Sequence, residues 1–222
     1  MLPVLEKWFG PLDTVTRNID ARSAGGPGSR RPPRLAVAVP PRSNWGGYSR
    51  PNLIVAPRPL SSGLRDPDRA TEVTAFLAHE MGHLWYGSGV LSDMMGEPWM
   101  SEAFAEFARL VFIEAELGRE AYRDRLRRYA EAVAGASDPR PMREVSTAHP
   151  EMDALARRRG ALMLAELREK VGDPLMARIL GEFTARHAGH TVRGEDFVRE
   201  ACLTAGVDLR EFFSSYLDRP PA

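Results

Sequence analysis

The sequence is poor in the features that would commit it to a membrane, a nucleic acid or an oxidising compartment. Cys202 is its single cysteine, so no disulfide can close within the chain and cross-linking is excluded as a source of stability. Thirty basic residues balance thirty acidic ones. No global field therefore exists to recruit nucleic acid or an anionic membrane surface. No stretch approaches the roughly 20 apolar residues of a membrane span, and the opening MLPVLEKWFGPLD carries acidic residues where a signal peptide would have its apolar core. A cytoplasmic protein with neither nucleic-acid nor membrane partners is expected. Lysine is nearly absent, Lys7 and Lys170 being the only two; this arginine bias carries no functional signal, and nothing in the sequence sets an oligomeric state.

At 222 residues the chain can bury a sizeable core. From Ala21 to Arg34 the run ARSAGGPGSRRPPR has the Gly, Pro and Ser density of a solvated loop, and its four arginines have no interleaved aromatics for base stacking. LAVAV (Leu35 to Val39) and NLIV (Asn52 to Val55) have strand length and composition. The remainder reads as helices punctuated by Gly and Pro. One starts at Asp66-Pro67 and runs through TEVTAFLAHEMGHLWYG to Gly87 and Gly89, a second runs from Pro98 to Gly118, and others cover about 120–134, 152–171, 174–187, 194–205 and 209–217. The expected class is α+β, mainly α. A single unit over 1–222 is expected, with a small sheet and loop region in 1–65 and a helical bundle in 66–222.

The chemistry concentrates in HEMGH. His79 and His83 are four residues apart, which on a helix places both imidazoles on one face, roughly 5 to 6 Å apart, within reach of one cation. Glu80 lies about 100° around the helix from His79, where a carboxylate can take a proton from water beside the metal. A catalytic zinc needs three protein ligands and an open position. Eighteen residues beyond His83, Glu102 stands near the start of the second helix, and the intervening turn is long enough to fold that helix back. His79, His83 and Glu102 are thus the candidate ligands for one Zn2+, with Glu80 as the candidate general base.

One turn further on, Glu106 shares the face of Glu102. It is either a solvated helix glutamate or the acceptor that fixes the tautomer of a ligand histidine. The other histidines compete poorly. His187 and His190 flank Gly189 at an expected helix end, where terminal carbonyls or solvent would meet them, and His149 sits in a loop with no neighbouring ligand type.

HEMGHLWYG, the eighteen-residue gap and WMSEAFAEF together resemble the aminopeptidase N family of gluzincin metallopeptidases, whose pattern is HExxHxW(F/W)G followed by WLNEGFAEY. LEKWFGPL resembles the entry to that family's thermolysin-like catalytic domain, and TVRGEDFVREACLTAGVDLREFFSSYLDRP resembles its closing helices. The resemblance implies the same zinc ligands and base as the spacing does, and a catalytic domain without the β-domain and helical domain that usually flank it.

Two departures stand beside it. The family's YxKG segment supplies a tyrosine that supports the oxyanion; here the matching RRRG places Arg157 at that position. Losing one such donor typically costs about 3 to 4 kcal/mol of transition-state stabilisation. Arg157 is either a substitute cationic donor or a surface arginine, and Tyr122 and Tyr129 fall on a different expected helix. The family's GAMENWG segment, whose glutamate holds a free amine, corresponds to PRSNWGG, with Ser43 at the glutamate. Asn44, Trp45, Gly46 and Gly47 remain to line an extended peptide, the glycines permitting close backbone approach. Trp45 and Tyr48 fit a pocket wall or a core cover equally.

The expected function is zinc-dependent hydrolysis of peptide bonds. The alternative is a weak or inactive zinc-binding module that holds peptides or a partner protein.

Overall fold

A computed structural model describes residues 1–23, 35–40, 47–50, 53–56, 63 and 66–221. Eight helices are described: α1 (Leu2–Phe9), α2 (Leu12–Ser23), α3 (Pro67–Gly82), α4 (Trp99–Ala134), α5 (Arg159–Val171), α6 (Asp173–His187), α7 (Gly194–Ala205) and α8 (Arg210–Leu217). A 3-10 turn, Met142–Glu144, and a π-helical segment, Asp153–Arg158, lie between α4 and α5. Five short strands are described: β1 (Ala36–Ala38), β2 (Tyr48–Arg50), β3 (Leu53–Val55), β4 (Leu91–Ser92) and β5 (Thr191–Val192).

β3 is the centre of a mixed sheet, parallel to β1 and antiparallel to β2 with Ser49 opposite Ile54. β4 and β5 form a separate parallel pair. The fold is therefore α+β and mainly α, as the sequence predicts. Beyond the two expected strands, β2, β4 and β5 are only two or three residues long, too short to leave a periodic signal.

The opening segment is helical as well. Pro3 sits in the first turn of α1, where its missing N–H costs nothing, and Leu5, Trp8 and Phe9 follow at helical spacing to bury one face. α2 carries helix on through Ser23, into the stretch expected as loop; the rest of that loop, residues 24–34, lies outside the described residues. The apolar side chains of α1 join those of α3 to α8 in one contiguous core.

α4 is the axis of that core. Trp99, Met100, Ala103, Phe104, Phe107 and Leu110 are all buried along its first three turns. Its 36 residues are two helical segments that meet at Gly118, whose non-helical φ of 86° and ψ of 175° end the first where the sequence predicts and let the second turn back so that Tyr129 reaches Glu106. Tyr86 stacks on Phe104 with ring centroids 4.0 Å apart, and Phe197 of α7 meets the same ring edge-on at 5.0 Å.

α3 ends earlier than the glycines at 87 and 89. Beyond Gly82 the chain tightens, with Leu84 N–H donating to Met81 O and Trp85 N–H to Gly82 O, and Tyr86 then bridges to Val90. His83 thus falls in the turn just past the helix. Two side chains pin this turn: Trp85 Nε1 donates to Gly10 O at 2.9 Å and Tyr86 hydroxyl to Leu180 O at 3.2 Å.

Gly82 also sets how closely the two site-bearing helices approach. A Cβ there would lie 2.8 Å from both Ala105 Cα and Ala108 Cβ, so α3 and α4 touch almost backbone to backbone. On the other side of α4, a Cβ at Gly160 of α5 would lie 2.4 Å from Ala103 Cβ. Overpacking such contacts costs about 1 to 3 kcal/mol or more. Gly82→Val is therefore expected to lower the urea midpoint by at least that equivalent. Gly118→Ala tests a different term, because its Cβ meets nothing within 4 Å and only the strained backbone remains, worth about 1 to 3 kcal/mol.

Candidate metal centre

Each candidate ligand is delivered by a local feature of the chain. The last full turn of α3 carries His79 and Glu80, the tight turn after Gly82 swings His83 over the same place, and the first turn of α4 presents Glu102. His79 Nε2 lies 3.6 Å from Glu102 Oε2 and His83 Nε2 lies 3.7 Å from Glu102 Oε1. The two imidazoles stand perpendicular, ring centroids 4.8 Å apart. These side chains form the group able to hold a metal ion among the described residues, with their ligand atoms within 4.8 Å of one another.

The separations decide the chemistry. Nitrogen-to-oxygen distances of 3.6 and 3.7 Å are too long for good hydrogen bonds. Two donors each about 2.1 Å from a common tetrahedral ion stand about 3.4 Å apart, so the spacing matches ligands arranged around zinc. Two imidazoles and one carboxylate are also a donor set that zinc favours. The residues present fit the ion.

Both histidines present the nitrogen that the ion requires. His79 Nδ1 is 2.7 Å from Glu106 Oε2; an ionised carboxylate only accepts, so Nδ1 carries a proton and Nε2 is the nitrogen turned toward Glu102. His83 Nδ1 lies 3.2 Å from Tyr86 O and 3.0 Å from Ser101 Oγ, whose hydroxyl also reaches Tyr86 O at 3.1 Å. Because that carbonyl only accepts, His83 carries its proton on Nδ1 and leaves Nε2 bare. Burial, with the neighbouring His79 charge, pulls His83 down to about 4, so at neutral pH it is an uncharged donor. Burial also pulls at His79, but Glu102 and Glu106 outweigh it and raise its pKa.

Glu106 is the most heavily engaged side chain of the centre. It is buried, and it meets His79, the Arg109 guanidinium at 3.1 Å and the Tyr129 hydroxyl, with Arg157 Nε 3.9 Å away. Burial alone would raise its carboxyl; Arg109 and His79 more than offset this and hold it well below the usual carboxylate range. Glu102 is also lowered, burial being overcome by His79, His83 and Arg157. Glu80 goes the other way, pushed up mainly by burial. Its Oε2 meets the Ser49 hydroxyl at 2.9 Å.

Arg157 is half-buried at the edge of this cluster, with its guanidinium committed to Asp153 and facing Glu106. Of the four residues expected to line a peptide, Asn44, Trp45 and Gly46 lie outside the described residues. Gly47 is at the site: a Cβ there would lie 2.8 Å from Glu80 Oε1 and 2.7 Å from Phe76 Cζ. His149 and His187 have carboxylate partners, Asp138 at 3.4 Å and Glu200 at 2.6 Å, where the sequence pointed to none for His149 and to carbonyls or solvent for His187. Sequence reasoning missed Ser49, Ser101, Arg109 and Tyr129. Arg109, three residues from Glu106 on one helix, was the one with a readable spacing.

An HExxH helix turned against a carboxylate-bearing helix, beneath a small mixed sheet, defines a metallopeptidase-type domain. The chain belongs to peptidase family M1, whose domain matches residues 37–216. Aminopeptidase N of Lactococcus lactis subsp. lactis is 23% identical over 159 residues, covering 67% of this chain and 19% of that protein. Aminopeptidase N of Streptomyces lividans is 24% identical over 162 residues, covering 68% of this chain and 19% of that protein. Among solved structures, an M1 zinc metallopeptidase of Deinococcus radiodurans bound to a Tyr-Ser-Ala substrate superposes on the whole chain with a TM-score of 0.75 at 22% identity, and the match takes in 44% of that protein. Yeast leukotriene A4 hydrolase matches 84% of this chain at a TM-score of 0.65 and 16% identity, across 31% of its own length. The chain thus spans about a fifth of the length of the curated relatives it matches. Among the described residues, no helix is long and apolar enough to cross a membrane.

The buried carboxylates imply an acid-sensitive apo fold. A carboxyl lowered on folding stabilises above its ordinary value, 4.5 for glutamate, and that stability is lost as pH falls toward its folded value. Glu80, raised on folding, contributes with the opposite sign. In chelator, urea stability is expected to fall from about pH 5 to pH 3. Glu106→Gln should flatten that limb and, by leaving Arg109 unpaired, cost about 3 to 5 kcal/mol at pH 7. An unchanged limb would count against the charged network.

Proposed function

We propose that this chain is a zinc-dependent hydrolase of peptide bonds, with His79, His83 and Glu102 holding one Zn2+ and Glu80 serving as general base. The observation that carries the reading is the convergence of two imidazole Nε2 atoms on one carboxylate at 3.6 and 3.7 Å. When bound, zinc supplies Lewis acidity toward water and toward a carbonyl oxygen.

The chain's own groups divide the remaining work. Glu80, raised by burial, is suited to accept a proton from the attacking water and return it to the leaving amine. Glu106 keeps His79 in the tautomer that leaves Nε2 free, and Ser101 with Tyr86 O does the same for His83. Gly47 leaves open the space in front of the Glu80 carboxylate. Asn44, Trp45 and Gly46 are assigned with it to peptide binding, and the substrate class is a peptide.

The second reading, a weak or inactive zinc-holding module that binds peptides, is favoured by one feature. Arg157 replaces the oxyanion tyrosine of the resembling family, and its guanidinium is already engaged by Asp153 and Glu106.

Metal analysis with a peptide-hydrolysis panel separates the two. One zinc per chain and chelator-sensitive turnover of aminoacyl or internally quenched peptides are expected. Glu80→Gln should keep the zinc and lose activity, whereas Glu102→Ala should lose both. Bound zinc with no peptide cut would establish the binding module, and undiminished turnover in Glu80→Gln would overturn the base assignment.

A further inference from the structure

Strand β2 is fastened to the candidate base by a single hydroxyl. Ser49 Oγ lies 2.6 Å from Glu80 main-chain O and 2.9 Å from Glu80 Oε2, both contacts buried. Its neighbours on β2, Tyr48 and Arg50, are exposed, so Ser49 alone in the strand turns inward. That inward position is set by the antiparallel register that places Ser49 opposite Ile54 of β3.

We propose that Ser49 is a positioning residue for peptide hydrolysis, holding the Glu80 carboxylate at the mouth of the metal centre by bridging Glu80's carboxylate to its own main-chain carbonyl. The proposal rests on the reading of Glu80 as base. A carboxylate on a glutamate stem turns about three torsions, and burying it leaves few partners to choose its direction. On the described side of the site Ser49 is the hydroxyl that reaches Oε2, while Oε1 faces the gap left by Gly47.

The chemistry of a hydroxyl suits the task. It has one hydrogen and two lone pairs, and both Glu80 oxygens near it are acceptors, so it donates to one of them at a time. Whichever oxygen takes the hydrogen, the hydroxyl stays within hydrogen-bond distance of both and limits the directions the Glu80 carboxylate can take.

The test compares zinc-loaded Ser49→Ala, Ser49→Thr and Ser49→Val with the unaltered chain; Thr and Val have the same shape and differ by the hydroxyl. Ala and Val are expected to keep one zinc, to leave KM within about twofold and to lower kcat by about ten- to a hundredfold, the usual range for a misplaced catalytic group. Thr should restore kcat. Crystal structures supply a readout independent of turnover: the Glu80 carboxylate should hold one orientation with Ser or Thr and turn or split with Ala or Val. If the unaltered chain cuts no peptide, the hydrolase reading fails, while the carboxylate orientation still decides the role of Ser49. Wild-type kcat in Ala and Val, loss of thermal stability without loss of kcat, or an unmoved single-conformer Glu80 in those variants would overturn the proposal.

Discussion

The centre exists because two helices approach almost to backbone contact. Gly82 lies against Ala105 and Ala108, where a single methyl would collide, and only at that distance do side chains from α3 and α4 share a space small enough for one ion. The same glycine ends α3, so the chain turns sharply and His83 comes over the face that carries His79. Small residues along the helix contact thus set the geometry of the donor cluster as well as the packing. Gly160 against Ala103 extends the arrangement to α5, just beyond the π-helical segment that carries Arg157.

Around this contact the charges are arranged to hold the donors ready before any ion arrives. Three glutamates crowd a buried space, which would be unfavourable if all were unpaired. Arg109 and His79 neutralise Glu106, both imidazoles share Glu102, and Glu80 remains as the carboxyl that burial pushes upward. Environment alone gives three carboxylates of one kind three different states, two lowered and one raised. Arg157 adds a cation at the edge of the cluster, 3.9 Å from Glu106.

Hydroxyl groups complete the arrangement, two from α4 itself and one from the sheet. Ser101 and Tyr86 O orient His83, Tyr129 buttresses Glu106, and Ser49 reaches Glu80 from the sheet. The small sheet thereby gains a purpose beyond covering the core. It sets the register of β2, whose Ser49 meets Glu80.

Much of this was legible in the residues. The class of fold, the helices from Pro67 onward and the break at Gly118 follow from apolar spacing and from Gly and Pro placement, because those are local properties. The nearness of His83 to His79 was legible from the four-residue spacing, although a turn rather than the helix delivers His83, and Glu102 and Glu106 share a face by helical geometry. Other features escaped. β2, β4 and β5 are held by pairing rather than by propensity, and α3 ends at Gly82 because Tyr86 and Trp85 find partners on α4, α6 and the Gly10 turn.

What the sequence by itself determined is therefore the set of chemical groups and their placement along each helix, since a turn of helix is a fixed length. Tertiary structure alone decided which carboxylate faces an imidazole and which a serine hydroxyl. Those choices depend on close approach between segments 31 residues apart for Ser49 and Glu80, and 23 apart for Glu106 and Tyr129. No local spacing encodes such an approach. Packing of the whole core sets it.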